Sequence, residues 1–161
     1  MTLAVYPGTF DPLTLGHQDI LKRACRLFDR VILAIAASPS KKPLFGLEER
    51  IQLAQQALAD LPQVEVRGFE GLLVDFMQEH QAQVALRGLR SGADFDYELP
   101  LAQLNRSLTG VDSIFLAPSP ELSFIASSLV REIASLGGRV EHLVHPEIAV
   151  ALKQKFNRNP S

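Results

Sequence analysis

The run Val31-Ile32-Leu33-Ala34-Ile35-Ala36 contains no polar residue. A strand with one wet face alternates polar and apolar side chains, so a strand without alternation is buried on both faces. Such strands belong to parallel sheets, and parallel neighbours need a crossover connection, usually a helix. The remaining sequence has that rhythm. Thr2–Tyr6, Val64-Glu65-Val66, Val84-Ala85-Leu86 and Ser113–Leu116 read as four further strands. Apolar residues recur at helical spacing in His17–Phe28, from Leu47 through Leu58, around Leu72–Met77 and across 93–108. Ser127–Leu136 is a helix ended by Gly137-Gly138, and Pro146–Phe156 is a last helix started by proline. This order predicts an α/β fold: a Rossmann-like, doubly wound parallel sheet of five strands with helices on both faces. Pro100 lies inside the fourth helix and predicts a kink or a break there.

Length and composition bound the rest. The 161 residues suffice for one domain with one core, expected to span 1–161, with a frayed tail from Asn157 to Ser161. Net charge is −2 without a run of like charges, which argues against electrostatic nucleic-acid binding. The single cysteine, Cys25, cannot form an internal disulfide and falls on the apolar side of a helical pattern, as a small buried hydrophobe would. Pro7-Gly8 interrupts the N-terminus too early for a secretion signal. The longest apolar run, Val31–Ala37, is far short of the roughly 20 residues of a membrane helix. A soluble, cytoplasmic protein is expected.

Ligands of doubly wound sheets bind at the carboxyl ends of the strands, where strand order reverses. Polar clusters follow four of the five strands: Pro7–His17, Ser38–Lys42, Arg87–Arg90 and Ser119–Ser128. The first delivers His17 to the opening turn of a helix, where unpaired N–H groups and a partial positive charge favour phosphate. His17, Lys41, Arg87 and Arg90 are donors or cations. Thr9, Ser127 and Ser128 are hydroxyls, and Gly8, Gly16 and Gly88 permit backbone contact.

That inventory suits polyphosphate recognition. It offers no Ser–His–Asp pairing, and His80, His142 and His145 lack zinc-ligand spacing. The P-loop and G-x-G-x-x-G motifs are absent too. Nucleotidyl transfer fits. An acceptor phosphate has a second pKa of about 6 and is largely ionised at neutral pH, so no general base is required. The protein must place two substrates in line and stabilise charge on the transferring group.

Thr14-Leu15-Gly16-His17 matches the (H/T)-x-G-H signature of the adenylyl- and cytidylyltransferase superfamily, and Ile125-Ala126-Ser127-Ser128-Leu129-Val130-Arg131 resembles its second signature. Tyr6–Pro12, Ala34–Pro43, Leu47–Arg50, Arg87–Arg90 and Asp94–Glu98 extend the likeness along essentially the whole chain. In these segments the sequence resembles bacterial phosphopantetheine adenylyltransferases. The resemblance implies transfer of AMP from ATP to 4′-phosphopantetheine with magnesium, a homohexamer, and inhibition by coenzyme A. It implies that Thr9 touches both substrates, that Phe10 contacts ATP, and that His17 binds the triphosphate and stabilises the transition state. Lys41, Leu73 and Arg87 would hold phosphopantetheine. Gly88-Leu89-Arg90, Glu98 and Leu122-Ser123-Phe124-Ile125-Ala126-Ser127-Ser128 would hold ATP. Leu122 stands where an aromatic residue is implied, Ala126 replaces a serine of the second signature, and Pro100 departs from the pattern.

Each residue also has an ordinary structural reading. His17 could cap its helix; Ser127 and Ser128 could cap theirs. Lys42 reads as solvated, and Asp11 as a turn residue. Asp94, Asp96 and Glu98 do not share one helix face, so no built-in metal site is expected; magnesium would arrive on the ATP phosphates with several waters. A nucleotide-sensing module without catalysis would have no need of His17. Another transferase of the same fold, acting on nicotinate mononucleotide or a polyol phosphate, is distinguished only by the resemblance.

Overall fold

The structure, a computed structural model, describes residues 2–37 and 42–157. Strand β1 (Leu3–Gly8) leads into α1 (Leu15–Leu27), β2 (Arg30–Ala36) into α2 (Leu47–Ala57), and β3 (Val64–Phe69) into α3 (Leu73–Glu79). Strand β4 (Val84–Gly88) precedes α4 (Gly92–Thr109); β5 (Asp112–Leu116) precedes a short 3-10 turn (Pro120–Leu122), α5 (Ser127–Ser135) and α6 (Pro146–Asn157). All strands pair in parallel, in the order β3-β2-β1-β4-β5. The chain winds outward from β1 through β2 to β3, then returns to lay β4 on the opposite side of β1. The reversal lies between β1 and β4, and their carboxyl ends carry Pro7-Gly8 and Arg87-Gly88.

Alternation along the central strands divides the core in two. Ala4, Tyr6, Leu33 and Ile35 face a large cluster closed by α1, α2, α5 and α6, including Leu21, Ala54, Val130 and Ile148. Val5, Ile32, Ala34 and Ala85 face a smaller cluster closed by Phe76 and Met77 of α3. Helix α4 contributes no buried residue to either.

Several boundaries differ from those expected. Strand β1 runs on through Pro7 and Gly8 because its ladder with β2 continues to Gly8↔Ile35, whereas its ladder with β4 registers only Ala4 and Val5. Strand β3 reaches Phe69 because β2 offers it backbone partners as far as Ala36. Helix α4 passes unbroken through Pro100. Asp96, whose carbonyl loses its i+4 donor, is exposed and can turn to water. Cys25 is only partly buried, against the edge of the large cluster. Lys42 is exposed, as its solvated reading required. Lys41, most of the Ser38–Lys42 cluster and the tail beyond Asn157 lie outside the described residues.

Candidate active site

Three cavities meet at the carboxyl ends of β1 and β4. The first, about 380 Å³, is walled by His17, Gly88, Arg90, Asp94, Tyr97 and Glu98 on one side and by Leu122, Ile125, Ala126, Ser127 and Ser128 on the other. The second, about 260 Å³, is walled by Pro7-Gly8-Thr9-Phe10-Asp11, Arg87 and Arg131. His17, Tyr6, Gly88 and Ser127 belong to both. The third, about 330 Å³, lies between α3 and α4 and is lined by Leu73, Leu101, Leu104 and Leu108 with Arg87 and Glu98 at its mouth.

Local structure orients His17. Thr14 is the N-cap of α1, and its hydroxyl accepts from the His17 N–H at 3.3 Å. In return the Thr14 N–H donates to His17 Nδ1 at 3.0 Å, completing a capping box with histidine in the place usually held by Glu or Gln. The capping and ligand-facing readings of His17 are therefore compatible: Nδ1 caps while Nε2 stays free. An Nδ1 that accepts carries no proton, so the neutral ring holds its proton on Nε2. Burial, and then the Arg90 charge, push the His17 pKa down to about 4. The imidazole is a neutral donor at pH 7. The Phe10 ring packs edge-on against it, with centroids 4.9 Å apart.

The two arginines are held by α4. Glu98 grips Arg87 with both oxygens, Nε to Oε2 at 2.8 Å and Nη2 to Oε1 at 2.6 Å, while Arg87 Nη1 donates to the Pro7 carbonyl at 3.0 Å. Three of the five guanidinium N–H groups are engaged; the rest are available to a phosphate. Asp94 accepts from the Arg90 backbone N–H at 2.9 Å and from Nε at 3.3 Å. Four residues apart, Asp94 and Glu98 share a helix face, while Asp96 is exposed. The sequence reading passed over that pairing because it weighed all three acids together.

At the opposite wall, the N-cap of α5 is Ala126, which makes no side-chain cap. Ser127 and Ser128 start the helix and do not cap it; the Ser127 hydroxyl instead donates to the Pro12 carbonyl at 2.8 Å. The first-turn N–H groups of α5 thus lack a capping side chain beside the cavity. Gly88 is needed for space: a Cβ there would stand 2.5 Å from Ile20 Cδ1 and 3.2 Å from Tyr6 Oη.

Of the residues singled out in the sequence, Thr9, Phe10, His17, Leu73, Arg87, Gly88, Arg90, Glu98, Leu122, Ile125, Ala126, Ser127 and Ser128 line these cavities. Leu89, Ser123 and Phe124 do not, and Lys41 lies outside the described residues. Sequence reasoning did not single out Tyr6 within Tyr6–Pro12 as a site residue, yet its buried phenol faces both of the first two cavities and is pushed above its ordinary pKa by that burial. Its signal was a lone hydroxyl ending an apolar strand. Asp11, read as a turn residue, is a buried acceptor for the Leu44 and Phe45 N–H groups at 2.8 and 3.0 Å. Arg131, the last residue of the second signature, donates to the Asp11 carbonyl at 2.6 Å.

Among the described residues, no three His, Cys, Asp or Glu side chains group closely enough to hold a metal ion. No described helix is long and apolar enough to cross a membrane.

Comparison with known proteins gives the family. Residues 5–133 match the cytidylyltransferase-like family. The chain is 53% identical to the phosphopantetheine adenylyltransferase of Hahella chejuensis over 97% of its length and 98% of the relative's. It is 56% identical to that of Thioalkalivibrio sulfidiphilus over 96% and 98%, and 51% identical to that of Thiobacillus denitrificans over 99% and 100%. A crystal structure of a candidate nicotinate-nucleotide adenylyltransferase from Vibrio parahaemolyticus superposes with a TM-score of 0.72 at 17% identity, over 99% of this chain and 98% of that one, and so shares the fold. Identities of 51–56% over nearly the full length of both chains lead to one assignment: the chain belongs to the phosphopantetheine adenylyltransferase family.

Proposed function

We propose that this protein transfers the adenylyl group of ATP to 4′-phosphopantetheine, giving dephospho-coenzyme A and pyrophosphate, the penultimate step of coenzyme A synthesis. One observation carries the reading: His17 stands between two cavities, with Arg90 in one and Arg87 in the other. Two phosphorylated reactants can meet across a single neutral donor there. The names of the relatives supply the acceptor.

Adenosine occupies the first cavity between α4 and residues 122–128, with Arg90 and the open N-terminus of α5 on the phosphates. The second cavity holds the reacting phosphates, with Thr9 reaching both substrates. An ionised oxygen of the acceptor phosphate attacks the α-phosphorus in line. The bond from that phosphorus to the bridging oxygen breaks, and pyrophosphate leaves with the electron pair. His17 Nε2–H donates to the oxygens on which charge grows, without adding a proton to be lost. Arg87 fixes the acceptor phosphate, and the pantetheine arm lies in the third cavity along Leu73. Lys41 joins the acceptor-binding set, and Leu89, Ser123 and Phe124 the ATP-binding set, on resemblance alone. Leu122 supplies only aliphatic contact to the base.

The donor set fits magnesium delivered on the triphosphate better than a protein-bound ion. Of the acids that line the first two cavities, Glu98 commits both oxygens to Arg87, Asp94 Oδ2 accepts from Arg90, and Asp11 accepts from the Leu44 and Phe45 N–H groups. Bound on the triphosphate, magnesium neutralises part of its charge.

Tyr97, Leu101, Leu104 and Leu108 form an exposed apolar stripe on α4 at helical spacing. We assign the outward side of this stripe, whose residues also border the first and third cavities, to contacts between copies in a cytoplasmic homohexamer. Coenzyme A carries both the pantetheine arm and the adenine of the product, and so would compete for the same cavities. The decisive test is pyrophosphate release from ATP with 4′-phosphopantetheine, nicotinate mononucleotide and glycerol 3-phosphate as parallel acceptors. Turnover with phosphopantetheine alone supports the reading; turnover with another acceptor alone, or with none, refutes it.

A further inference from the structure

Arg50 is the one buried cation among the described residues, 3% exposed, and its guanidinium has no carboxylate within ion-pair distance there. It donates instead to three carbonyls: Nε to Phe45 at 3.0 Å, and Nη1 to Thr9 and to Ala36, both at 2.9 Å. Burying a cation against neutral acceptors alone is costly, so this arrangement needs a reason. Burial pushes the Arg50 pKa down, and the nearby Asp11 partly offsets it. Phe45 is pinned from both sides, its carbonyl by Arg50 and its N–H by Asp11 at 3.0 Å.

What these contacts restrain is the loop beneath His17. Phe10 has φ +49°, a left-handed backbone that L-residues adopt only when their surroundings hold it. The residues on either side of it, Thr9 and Asp11, are the ones that Arg50, Leu44, Phe45 and Arg131 grip. The Phe10 ring is then fixed against His17. Arg50 itself lines none of the three cavities.

We propose that Arg50 is a positioning residue of this active site: it braces the Thr9–Asp11 loop from behind, keeps Phe10 against His17, and so fixes the imidazole in its packed position. A planar, fixed fork can hold three carbonyls at once; a lysine ammonium on a flexible stem cannot reproduce that geometry. The kinetic consequences rest on the adenylyl-transfer reading above, whereas the structural ones do not.

The test compares wild type, Arg50→Lys and Arg50→Met by thermal melting, by NMR titration of the His17 ring without substrates, and by kcat and KM for both substrates. Tyr6 on β1, Asp11 after it, Arg87 in β4, Arg90 after it, Asp94 and Glu98 on α4 and Arg131 on α5 also face these cavities, and all are unchanged in the variants. Arg50→Lys should fold. Its kcat should fall about 10- to 100-fold, as expected for misplacement from outside the chemistry. The KM for ATP should change less than kcat, because the base-binding cavity is untouched and only the Thr9–Asp11 loop shifts. The His17 midpoint should rise from about 4 toward 6.5 as water reaches the ring. Should Arg50→Met fail to fold, Arg50→Lys remains decisive. A folded Arg50→Lys with an unmoved His17 midpoint, or with kcat unchanged, overturns the proposal. A wild type that releases no pyrophosphate refutes the adenylyl-transfer reading, and the NMR titration still decides the role of Arg50.

Discussion

The backbone N–H of Thr14 donates to His17 Nδ1 at 3.0 Å, which commits the one proton of the neutral ring to Nε2. A helix cap thereby sets the tautomer of the site's central donor. Removing that donor tests its role. His17→Ala should lower kcat roughly 100- to 1,000-fold, the usual cost of losing one donor to a charge that develops in the transition state. ATP affinity, measured by calorimetry, should change far less. A kcat within threefold of wild type refutes the assignment.

The depressed pKa of His17 has a stability consequence with a definite sign. The folded value of about 4 lies below the unfolded 6.5, so the unfolded chain binds more protons between them. This contribution is complete above pH 6.5 and is lost as pH falls toward 4. Its slope approaches about 1.4 kcal/mol per pH unit in that window. Urea melts from pH 4 to 7.5 should show it in wild type, and His17→Ala should lack that portion of the slope.

Arg87 and Glu98 form a two-pronged pair, and the Arg87 N–H groups that neither Glu98 nor Pro7 engages are the ones proposed to hold the acceptor. Arg87→Lys keeps the charge and loses the fork. A lost charge-assisted bond is worth about 1.5–3 kcal/mol, or roughly 10- to 100-fold. That loss should appear in the KM for phosphopantetheine and leave the KM for ATP within a few-fold. Equal effects on both substrates would contradict the division of the cavities.

Gly88→Ala places a methyl group against Ile20 Cδ1 and the Tyr6 hydroxyl. Ile20 is 3% exposed and lines the first cavity, so the added methyl group pushes its Cδ1 into the space proposed for ATP. Overpacking of this kind costs about 1–3 kcal/mol. Both a lower Tm and weaker ATP binding should result, read by calorimetry with and without nucleotide.

Ala126 occupies the N-cap of α5 with extended dihedrals, φ −124° and ψ 142°. Ala126→Ser supplies the missing acceptor and should stabilise the protein by about 1 kcal/mol. The added hydroxyl also lies on the wall of the first cavity, so the KM for ATP should move with it.

Much of the site was legible in the chain. Tyr6–Pro12 with Gly16-His17, and Arg87-Gly88, announced themselves because a strand that ends abruptly in glycine or proline must place its next polar residue at the sheet's edge. The doubly wound parallel sheet followed from the alternation of strands with helices, and the unbroken apolar run of β2 marked a strand buried on both faces. Reading Asp94 and Glu98 correctly required knowing that α4 returns across the ends of β1 and β4, a long-range fact that helical spacing does not contain. Arg50 illustrates the same gap. In sequence it is an arginine of a charged helical turn, Leu47-Glu48-Glu49-Arg50; in the fold it is buried and gathers Thr9, Ala36 and Phe45.

Local pattern by itself therefore determined which segments are strands and helices, that the sheet is parallel, and which residues reach the strand ends. These depend on side-chain periodicity and on backbone restrictions within a few residues. Only the tertiary structure decided which charges are paired, which nitrogen of His17 is left free of the cap, and which arginines line the cavities while Arg50 lies behind the loop. Those outcomes depend on burial and on hydrogen bonds between residues tens of positions apart, which no short window of sequence encodes.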